Sequence, residues 1–251
     1  MKGAFRTRGL VLRTTDFSET SQIIKVFARG HGIIDLMAKG SRRPAKNSSS
    51  FHAPFDPGSW YDINFRKKSG DLQLATEARL VEGFRHLRND LPVWLDATLA
   101  LDLLRTLFTP GDPHDDLLRE TLQYFKLLSS GVGRRRLRNR FLHSILGASG
   151  LQPSWEDCAG CELPLSGFPA GSLAFQLPAG FHCSACVDSS GRISVDHALL
   201  NYLRADSIQE WGKVPTWQVP DSVVLKGWDV LSSLVSHHLE RPPRSLRYLR
   251  V

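Results

Sequence analysis

The four cysteines of this chain form two Cys-x-x-Cys pairs, Cys158 with Cys161 and Cys183 with Cys186, separated by 21 residues. Two residues between cysteines let a tight turn point both thiolates at one ion, and two such turns complete the tetrahedron that Zn²⁺ prefers. A disulfide framework is typical of small secreted domains, and a thioredoxin-like redox pair needs one such motif in a βαβ unit. No βαβ pattern surrounds either pair, so the spacing predicts a zinc site.

The predicted zinc is structural, because four thiolates leave no open position for water or substrate. His182 lies next to Cys183 and is an alternative ligand, although the two complete pairs favour a role outside the coordination shell. The Gly and Pro content between the pairs is typical of a short hairpin. We therefore expect the metal to hold together a segment that is too small to fold alone.

Positive charge is concentrated in the first third of the chain. The formal charge is +7, and residues 1–80 contain 14 Lys and Arg against 7 Asp and Glu, whereas residues 81–251 contain 18 of each. A basic segment joined to a neutral body is typical of a polyanion binder, because each neutralised phosphate releases condensed counterions. A solubilising surface has the same charge, so charge alone leaves both interpretations open.

Residues 1–80 are predicted to form short strands, because five runs rich in β-branched and aromatic residues are bounded by turn residues. The turn segments at 29–32 and 66–71 each contain a glycine that suits a tight hairpin. A long basic loop, rich in Pro and Ser, lies between the third and fourth runs. Five strands with one such loop predict an OB-fold β-barrel, although the sequence does not determine the strand order.

From about residue 82 the apolar pattern has the period of a helix. The first helical stripe consists of four leucines, Leu95, Leu99, Leu103 and Leu107. Further helical patterns follow, both before and after the cysteines, so we expect an α+β multidomain chain with a zinc-binding element inserted in an α-helical body. The predicted order is an OB-fold domain, a first helical part, the zinc-binding element, and a second helical part with a basic tail, with bounds 1–80, 81–154, 155–190 and 191–251.

The candidate DNA-binding residues lie in the basic N-terminal segment. Flexible cations beside hydroxyls and backbone N–H groups suit a sugar-phosphate backbone, and the Ser-rich loop supplies Lys39, Arg42, Arg43 and Lys46. Neighbouring strands and turns supply Arg8, Arg13, Lys25, Arg66, Lys67 and Lys68. Eight aromatic residues share this segment, and stacking on unpaired bases is one role for them. A small barrel fills its interior with such residues, so the sequence singles out none of them.

Two other charged segments have simpler interpretations. The acidic segment GDPHDD at 111–116 precedes a helix, where carboxylates cap free N–H groups and oppose the helix dipole, and this favours a capping role over a nuclease metal site. Five arginines between 134 and 140 form a basic run on a predicted helix. They indicate either a DNA or partner surface or a solvated helical face.

Long stretches of the sequence resemble one known family. The stretch GLVLRTTDFSETSQIIKVFARGHGIIDLMAKGSRRP, followed by ARLVEGF, resembles the N-terminal domain of the RecO family of bacterial recombination-mediator proteins. LHSILGASGLQPSWEDCAGC resembles the helix that leads into the zinc-binding segment of that family, and HHLERPPRSLRYL resembles its C-terminal end. The resemblance therefore spans nearly the whole chain.

The resemblance implies a DNA repair and recombination protein without enzymatic activity. Such a protein binds single- and double-stranded DNA, anneals complementary strands, and helps RecA to replace single-strand-binding protein together with RecR. The N-terminus lacks a signal-peptide core, so we expect a cytoplasmic protein of the bacterial nucleoid with no membrane partner. Two alternatives remain from the residues themselves: an RNA- or ribosome-associated zinc protein and a metal-dependent nuclease.

Overall fold

The computed structural model describes residues 3–43, 51, 53–169, 171–188 and 193–249. These residues form two compact units, and the division falls between residues 125 and 126. The first unit contains a β-barrel and most of two helices, and the second contains the remaining helices and a small sheet. The described part of the chain has no helix that is long and apolar enough to cross a membrane.

Five strands of the first unit close into a barrel in the order β1-β2-β3-β5-β4. Neighbouring strands are antiparallel except for β3 and β5, which are parallel. The strands are β1 (Ala4–Ser18), β2 (Ser21–Ala28), β3 (Gly32–Ala38), β4 (Trp60–Arg66) and β5 (Leu72–Glu82). A closed five-stranded barrel of this kind is an OB-fold, so the predicted N-terminal fold is confirmed.

The barrel interior is filled by every second residue of its strands. Fully buried examples are Val11 of β1, Ile24 and Val26 of β2, Leu36 of β3 and Ile63 of β4. Because successive side chains of a strand point to opposite faces, the polar residues between them lie on the outer surface. Each buried aliphatic side chain stabilises the fold by about 1.5 to 3 kcal/mol.

Two glycines of the barrel have specific structural roles. Gly30 lies in the turn between β2 and β3 with φ +70°, a conformation that glycine adopts without steric cost, and this is the hairpin that the sequence predicts. Gly9 lies where β1 approaches β2 closely. A Cβ at residue 9 would be 2.2 Å from Cγ1 of Val26, so only glycine fits there.

Helix α1 (Leu91–Leu107) packs against β1, and α2 (Asp115–Leu128) follows it. The predicted leucine stripe is confirmed at its centre, where Leu99 and Leu103 are buried. Leu95 and Leu107 are only half-buried. The buried face of α1 is broader than the stripe, since it also contains small and apolar residues on either side, namely Val93, Ala97, Ala100, Leu101 and Leu104.

The second unit is built around α3 (Arg134–Ala148), which packs against α4 (His197–Ile208) and α5 (Asp221–His237). A short helix, α6 (Arg244–Tyr248), follows. The cysteine segment lies between α3 and α4 in the chain, so it is an insertion in the helical body, as predicted. The Asp196 carboxylate accepts a hydrogen bond of 2.7 Å from the Leu199 N–H and thereby caps α4.

A three-stranded antiparallel sheet with the order β7-β6-β8 accompanies the cysteines. Its strands are β6 (Leu173–Gln176), β7 (Gly180–Cys183) and β8 (Ile193–Val195). The β6–β7 hairpin corresponds to the hairpin predicted between the cysteine pairs. The four domain bounds given by the sequence stay a prediction.

Candidate metal centre and nucleic-acid interface

The ligand atoms of all four cysteines lie within 4.8 Å of one another. Sγ of Cys161 and Sγ of Cys183, from different pairs, are 3.9 Å apart, and all four thiols are free. Zn–S bonds of about 2.3 Å in a tetrahedron place neighbouring sulphurs about 3.8 Å apart. Disulfide sulphurs are much closer, at about 2.05 Å. The spacing is that of a tetrathiolate metal site.

Tight turns and strand β7 hold the cysteines in place. Within the second pair, the N–H of Cys186 donates to the carbonyl of Cys183 at 3.0 Å. In the first pair, Ala159 follows Cys158, and the Ala159 N–H donates to the carbonyl of Phe181 in β7 at 2.7 Å. This hydrogen bond joins the turn of the first cysteine pair to β7, the strand that ends at Cys183. The turns of both pairs therefore face the point where the four sulphurs meet.

The electrostatics of the cluster favour a bound cation. Burial acts to raise the pKa of the Cys158 thiol, but hydrogen bonds to its sulphur outweigh burial and lower that pKa to about 6. The backbone donors include Cys183 N–H, 3.3 Å from Sγ, and Gly160 N–H, 3.4 Å from Sγ. Contact with the sulphurs of Cys183 and Cys161 raises the pKa of Cys186 to about 12. A divalent cation is needed to hold all four thiolates, and this donor set fits Zn²⁺.

Gly160 allows the two cysteine turns to approach each other. A Cβ on residue 160 would lie 2.7 Å from Cβ and 3.0 Å from Sγ of Cys186. We expect Gly160→Ala to displace Cys186 and to weaken zinc binding by about tenfold or more, measured by competition with a chromophoric chelator. Gly167→Ala is the matched control, because its Cβ meets open space. Equal zinc affinities of the two variants would contradict this packing argument.

His182 is not part of the sulphur cluster. Among the described residues, the ligand atoms that group together belong to the four cysteines alone. His182 is buried in β7, and its Nδ1 lies 3.2 Å from the carbonyl of Gly180. The structure therefore favours the interpretation that the imidazole lies beside the cluster and is not a substitute ligand.

The predicted DNA-binding cations begin in a turn that follows β3, here called the basic turn (Lys39–Arg43). Lys39, Arg42 and Arg43 are all exposed. Arg42 pairs with Asp16 at 2.9 Å, whereas Lys39 and Arg43 have no carboxylate partner in the described part of the chain. Lys46 lies outside the described residues, so its prediction has no structural counterpart here.

Arg13 and Lys25 lie side by side on the outer face of the barrel. They are cross-strand partners in β1 and β2, and Lys25 is in turn opposite Asp35 of β3. The Lys25 ammonium is 2.8 Å from the Asp35 carboxylate, so its charge is largely offset. Arg13 is exposed and pairs with no carboxylate among the described residues, which leaves its charge available.

Arg8 belongs to a network around Asp62, a carboxylate of β4 with only 8% of its surface exposed. Arg6 donates two hydrogen bonds to Asp62, of 2.9 Å and 2.7 Å, and the Arg8 guanidinium is 3.9 Å away. The hydrogen bond from Arg6 holds the pKa of Asp62 below its usual value. The carboxylate is therefore ionised at neutral pH and offsets part of the charge of both arginines.

The remaining predicted cations, Arg66, Lys67 and Lys68, lie at the turn between β4 and β5 and are exposed. None of the three pairs with a carboxylate within the described ranges. The Lys67 ammonium lies 5.0 Å from the ring centroid of Phe5, a cation–π contact that keeps it at this end of the barrel.

The β4–β5 turn and the basic turn lie at different heights along β3. Leu72, which starts β5 just after the β4–β5 turn, is opposite Asp35, and Lys39 follows Ala38. About four strand residues, or roughly 13 Å, therefore separate the two positions along β3. Lys25 lies on β2, next to β3, and Arg13 lies opposite it on β1, so these two cations and both turns belong to neighbouring strands of the barrel.

The arginine run of α3 is not a solvated helical face. Arg138 and Arg140 are buried, and so is Asn139 between them. The Arg138 guanidinium carbon lies 3.9 Å from the ring centroid of Trp228, and that of Arg140 lies 4.9 Å from Trp211. Cation–π contacts with aromatic residues distant in sequence bring these charges into the interior, so the surface interpretations are wrong for them.

The acidic segment at 111–116 leads into a helix, as predicted, and α2 begins at its fifth residue, Asp115. Asp115 and Asp116 lie in its first turn, where negative charge opposes the helix dipole. The Asp115 carboxylate also accepts a hydrogen bond of 2.8 Å from the Gly30 N–H, and His114 lies 3.2 Å from Asp112. In the described ranges these groups do not form a metal-ligand cluster.

Together, the fold and the cysteine cluster define an OB-fold protein with a helical body and a tetrathiolate element. The family model described as "Recombination protein O N terminal" matches residues 1–84, and "Recombination protein O C terminal" matches residues 88–247. The chain therefore belongs to the RecO family and is a DNA repair protein. The resemblance seen in the sequence is confirmed.

Curated relatives support this assignment over most of the chain. A protein of Streptomyces griseus subsp. griseus named "DNA repair protein RecO" is 29% identical over 262 residues, covering 98% of both chains. One with the same name from Anaeromyxobacter sp. (strain K) is 26% identical over 244 residues, covering 96% of this chain and 94% of its own. The protein named "DNA repair protein RecO" from Halalkalibacterium halodurans is 29% identical over 184 residues, which cover 73% of this chain and 69% of its own.

Proposed function

We propose that this protein is a recombination mediator without catalytic activity of its own. It binds single- and double-stranded DNA, anneals complementary strands, and helps RecA onto DNA coated by single-strand-binding protein, in concert with RecR. It acts in the cytoplasm, at the nucleoid. The observation that carries the proposal is the exposed basic surface of an OB-fold barrel in a chain that belongs to a DNA repair family.

The barrel, predicted as residues 1–80, is the proposed DNA-binding domain. Six of its predicted cations are exposed and, within the described part of the chain, have no carboxylate partner: Lys39, Arg43, Arg13, Arg66, Lys67 and Lys68. Unpaired exposed cations bind phosphates at little desolvation cost and release condensed counterions. Arg8, Lys25 and Arg42 support the same surface, although carboxylates offset part of their charge.

Binding through the backbone suits strand annealing. Contacts to phosphates position a strand without reading its sequence, and they leave the base edges free to test a partner strand. Neutralising part of the phosphate charge also lowers the repulsion between two approaching strands. A protein that bound base edges tightly would block pairing. A charged, sequence-independent surface is therefore what annealing requires.

The cysteine element, predicted as residues 155–190, is the proposed structural zinc site of the helical body. Cys158, Cys161, Cys183 and Cys186 would hold the ion. A bound zinc ion supplies charge neutralisation and a rigid crosslink between the two cysteine turns. The helical body is the proposed contact for single-strand-binding protein.

Neutralising the basic turn tests the DNA-binding proposal. We expect Lys39→Ala, Arg42→Ala and Arg43→Ala together to weaken binding of the full-length protein to single-stranded DNA by about tenfold or more. The slope of log affinity against log salt should fall by about 0.7 for each phosphate that the variant no longer neutralises, or about 2 for three phosphates. Fluorescence anisotropy across a salt series measures both quantities.

The matched control removes the same charge from the other unit. Arg241→Ala, Arg244→Ala and Arg247→Ala change three exposed arginines, and we expect affinity and salt slope to stay near those of the wild type. An unchanged slope in the basic-turn variant would remove this turn from the DNA-binding surface. Preferential binding of RNA, or DNA cleavage that depends on Mg²⁺ or Mn²⁺, would overturn the mediator proposal itself.

A further inference from the structure

Phe17 occupies an exceptional position in the barrel. The pairing of β1 with β2 passes from Asp16 opposite Gln22 to Ser18 opposite Ser21, so Phe17 is the additional residue of a β-bulge. Its side chain is 63% exposed. The other seven aromatic residues in this segment, all within the described ranges, are buried or half-buried. A bulge redirects a side chain, and here it turns an aromatic ring outward at the end of a hairpin.

The basic turn is attached to the same end of this hairpin. The N–H of Arg42 donates to the carbonyl of Thr20 at 3.1 Å, and the N–H of Gly40 donates to Ser21 Oγ at 3.3 Å. The Arg42 guanidinium also pairs with Asp16, the residue before Phe17. These contacts hold an exposed ring beside a cluster of cations. That combination matches a nucleotide, which presents a base and a phosphate to a binding surface.

We propose that Phe17 stacks on an unpaired base of single-stranded DNA while the basic turn holds the neighbouring phosphates. This inference rests on the proposed DNA-binding function and names a residue that gives it strand selectivity. Any base presents a π-face, so the contact is independent of sequence. In a duplex both faces of an internal base are already stacked, so the ring has no site there.

Selectivity of this kind requires a contact that charge cannot supply. Duplex DNA has the higher charge density, and counterion release per phosphate is greater for it than for a single strand. A surface made only of cations therefore tends to favour duplex DNA. A stacking residue acts in the opposite direction, because it adds affinity only where bases are unpaired. Phe17 would thus direct the protein to single-stranded regions.

The experiment compares Phe17→Ala with the wild type, both full-length, by fluorescence anisotropy with three probes. The probes are an oligothymidylate, a strand of the same length with abasic residues throughout its central part, and a duplex of that length. We expect Phe17→Ala to bind oligothymidylate about 5- to 150-fold more weakly, the range that corresponds to removal of one stacked base. Affinities for the abasic strand and the duplex, and the salt slope, should be unchanged.

Two further variants complete the test. Phe17→Tyr keeps the aromatic face and should bind oligothymidylate within about twofold of the wild type. Leu80→Ala removes another exposed apolar side chain of the barrel and should have no effect on any probe. Thermal unfolding of Phe17→Ala should match the wild type, because most of the ring is exposed.

The possible results separate this inference from the proposed function. Unchanged oligothymidylate affinity in Phe17→Ala, when the basic-turn variant binds more weakly than the wild type, overturns the stacking role alone. Equal reductions in affinity for oligothymidylate, abasic strand and duplex also overturn it, since stacking cannot act on an abasic strand. Failure of the wild type to bind any probe at low salt overturns the DNA-binding proposal together with this inference.

Discussion

Cys158→Ser is expected to remove bound metal and to destabilise the second unit strongly. Cys158 is buried, and its sulphur accepts hydrogen bonds from the backbone N–H groups of Cys183 and Gly160. A serine hydroxyl does not ionise near neutral pH, so it cannot replace the thiolate as an anionic ligand. We expect zinc content to fall from about one ion per chain to near zero. The free energy of unfolding should fall by about 3 kcal/mol or more, because folding and metal binding are coupled. This corresponds to a decrease of roughly 6 to 12 °C in the unfolding temperature.

Elemental analysis and calorimetry of the full-length protein measure these quantities. Ser184→Ala, an exposed position between Cys183 and Cys186, is the matched control and should retain both metal and stability. DNA affinity of Cys158→Ser at low temperature should stay within about twofold of the wild type, because the barrel belongs to the other compact unit. A metal-free variant with wild-type stability would refute the structural role of the ion.

The elements that the sequence predicts correctly are those with local causes. The five strands follow from runs rich in β-branched and aromatic residues that turn residues bound, and the cysteine cluster follows from two-residue spacing, which places each pair in one turn. Closure of the barrel has no such local cause. It depends on the parallel pairing of β3 with β5, in which Met37 lies opposite Leu74, far away in sequence. The strand order therefore comes from the structure alone.

The charged residues show the same distinction. The exposure of Lys39 and Arg43 can be predicted from their position in a polar loop. The pairing of Arg42 with Asp16 cannot, because it requires two separate segments to meet in the folded barrel. Phe17 could not be distinguished from the other aromatic residues, because its exposure depends on a bulge in the pairing of β1 with β2. Sequence periodicity carries no signal for a bulge that leaves both strands intact.

The surface interpretations of the arginine run in α3 are wrong for its buried members. The burial of Arg138 leads to a second prediction with a large expected effect. Only 2% of the surface of Arg138 is exposed. Its guanidinium lies over the Trp228 ring of α5, and Nη1 donates to the carbonyl of Leu249 at 3.3 Å. We expect Arg138→Ala to lower the free energy of unfolding by about 3 to 5 kcal/mol, because it leaves a cavity and deprives the Leu249 carbonyl of its donor. Denaturant unfolding followed by circular dichroism measures the decrease.

Two further variants test whether the effect belongs to the buried, planar guanidinium of Arg138. Arg138→Lys keeps the charge but lacks the flat guanidinium that stacks on a ring and donates from its edge, so we expect it to lower the free energy of unfolding by about 2 kcal/mol or more. Arg135→Ala, in the first turn of the same helix and half-buried, should lower it by no more than about 0.5 kcal/mol. If Arg138→Ala were no more harmful than Arg135→Ala, the buried guanidinium would not stabilise the fold. The presence of buried arginines in α3 would then need an explanation other than stability, and their positive charge is the property that remains.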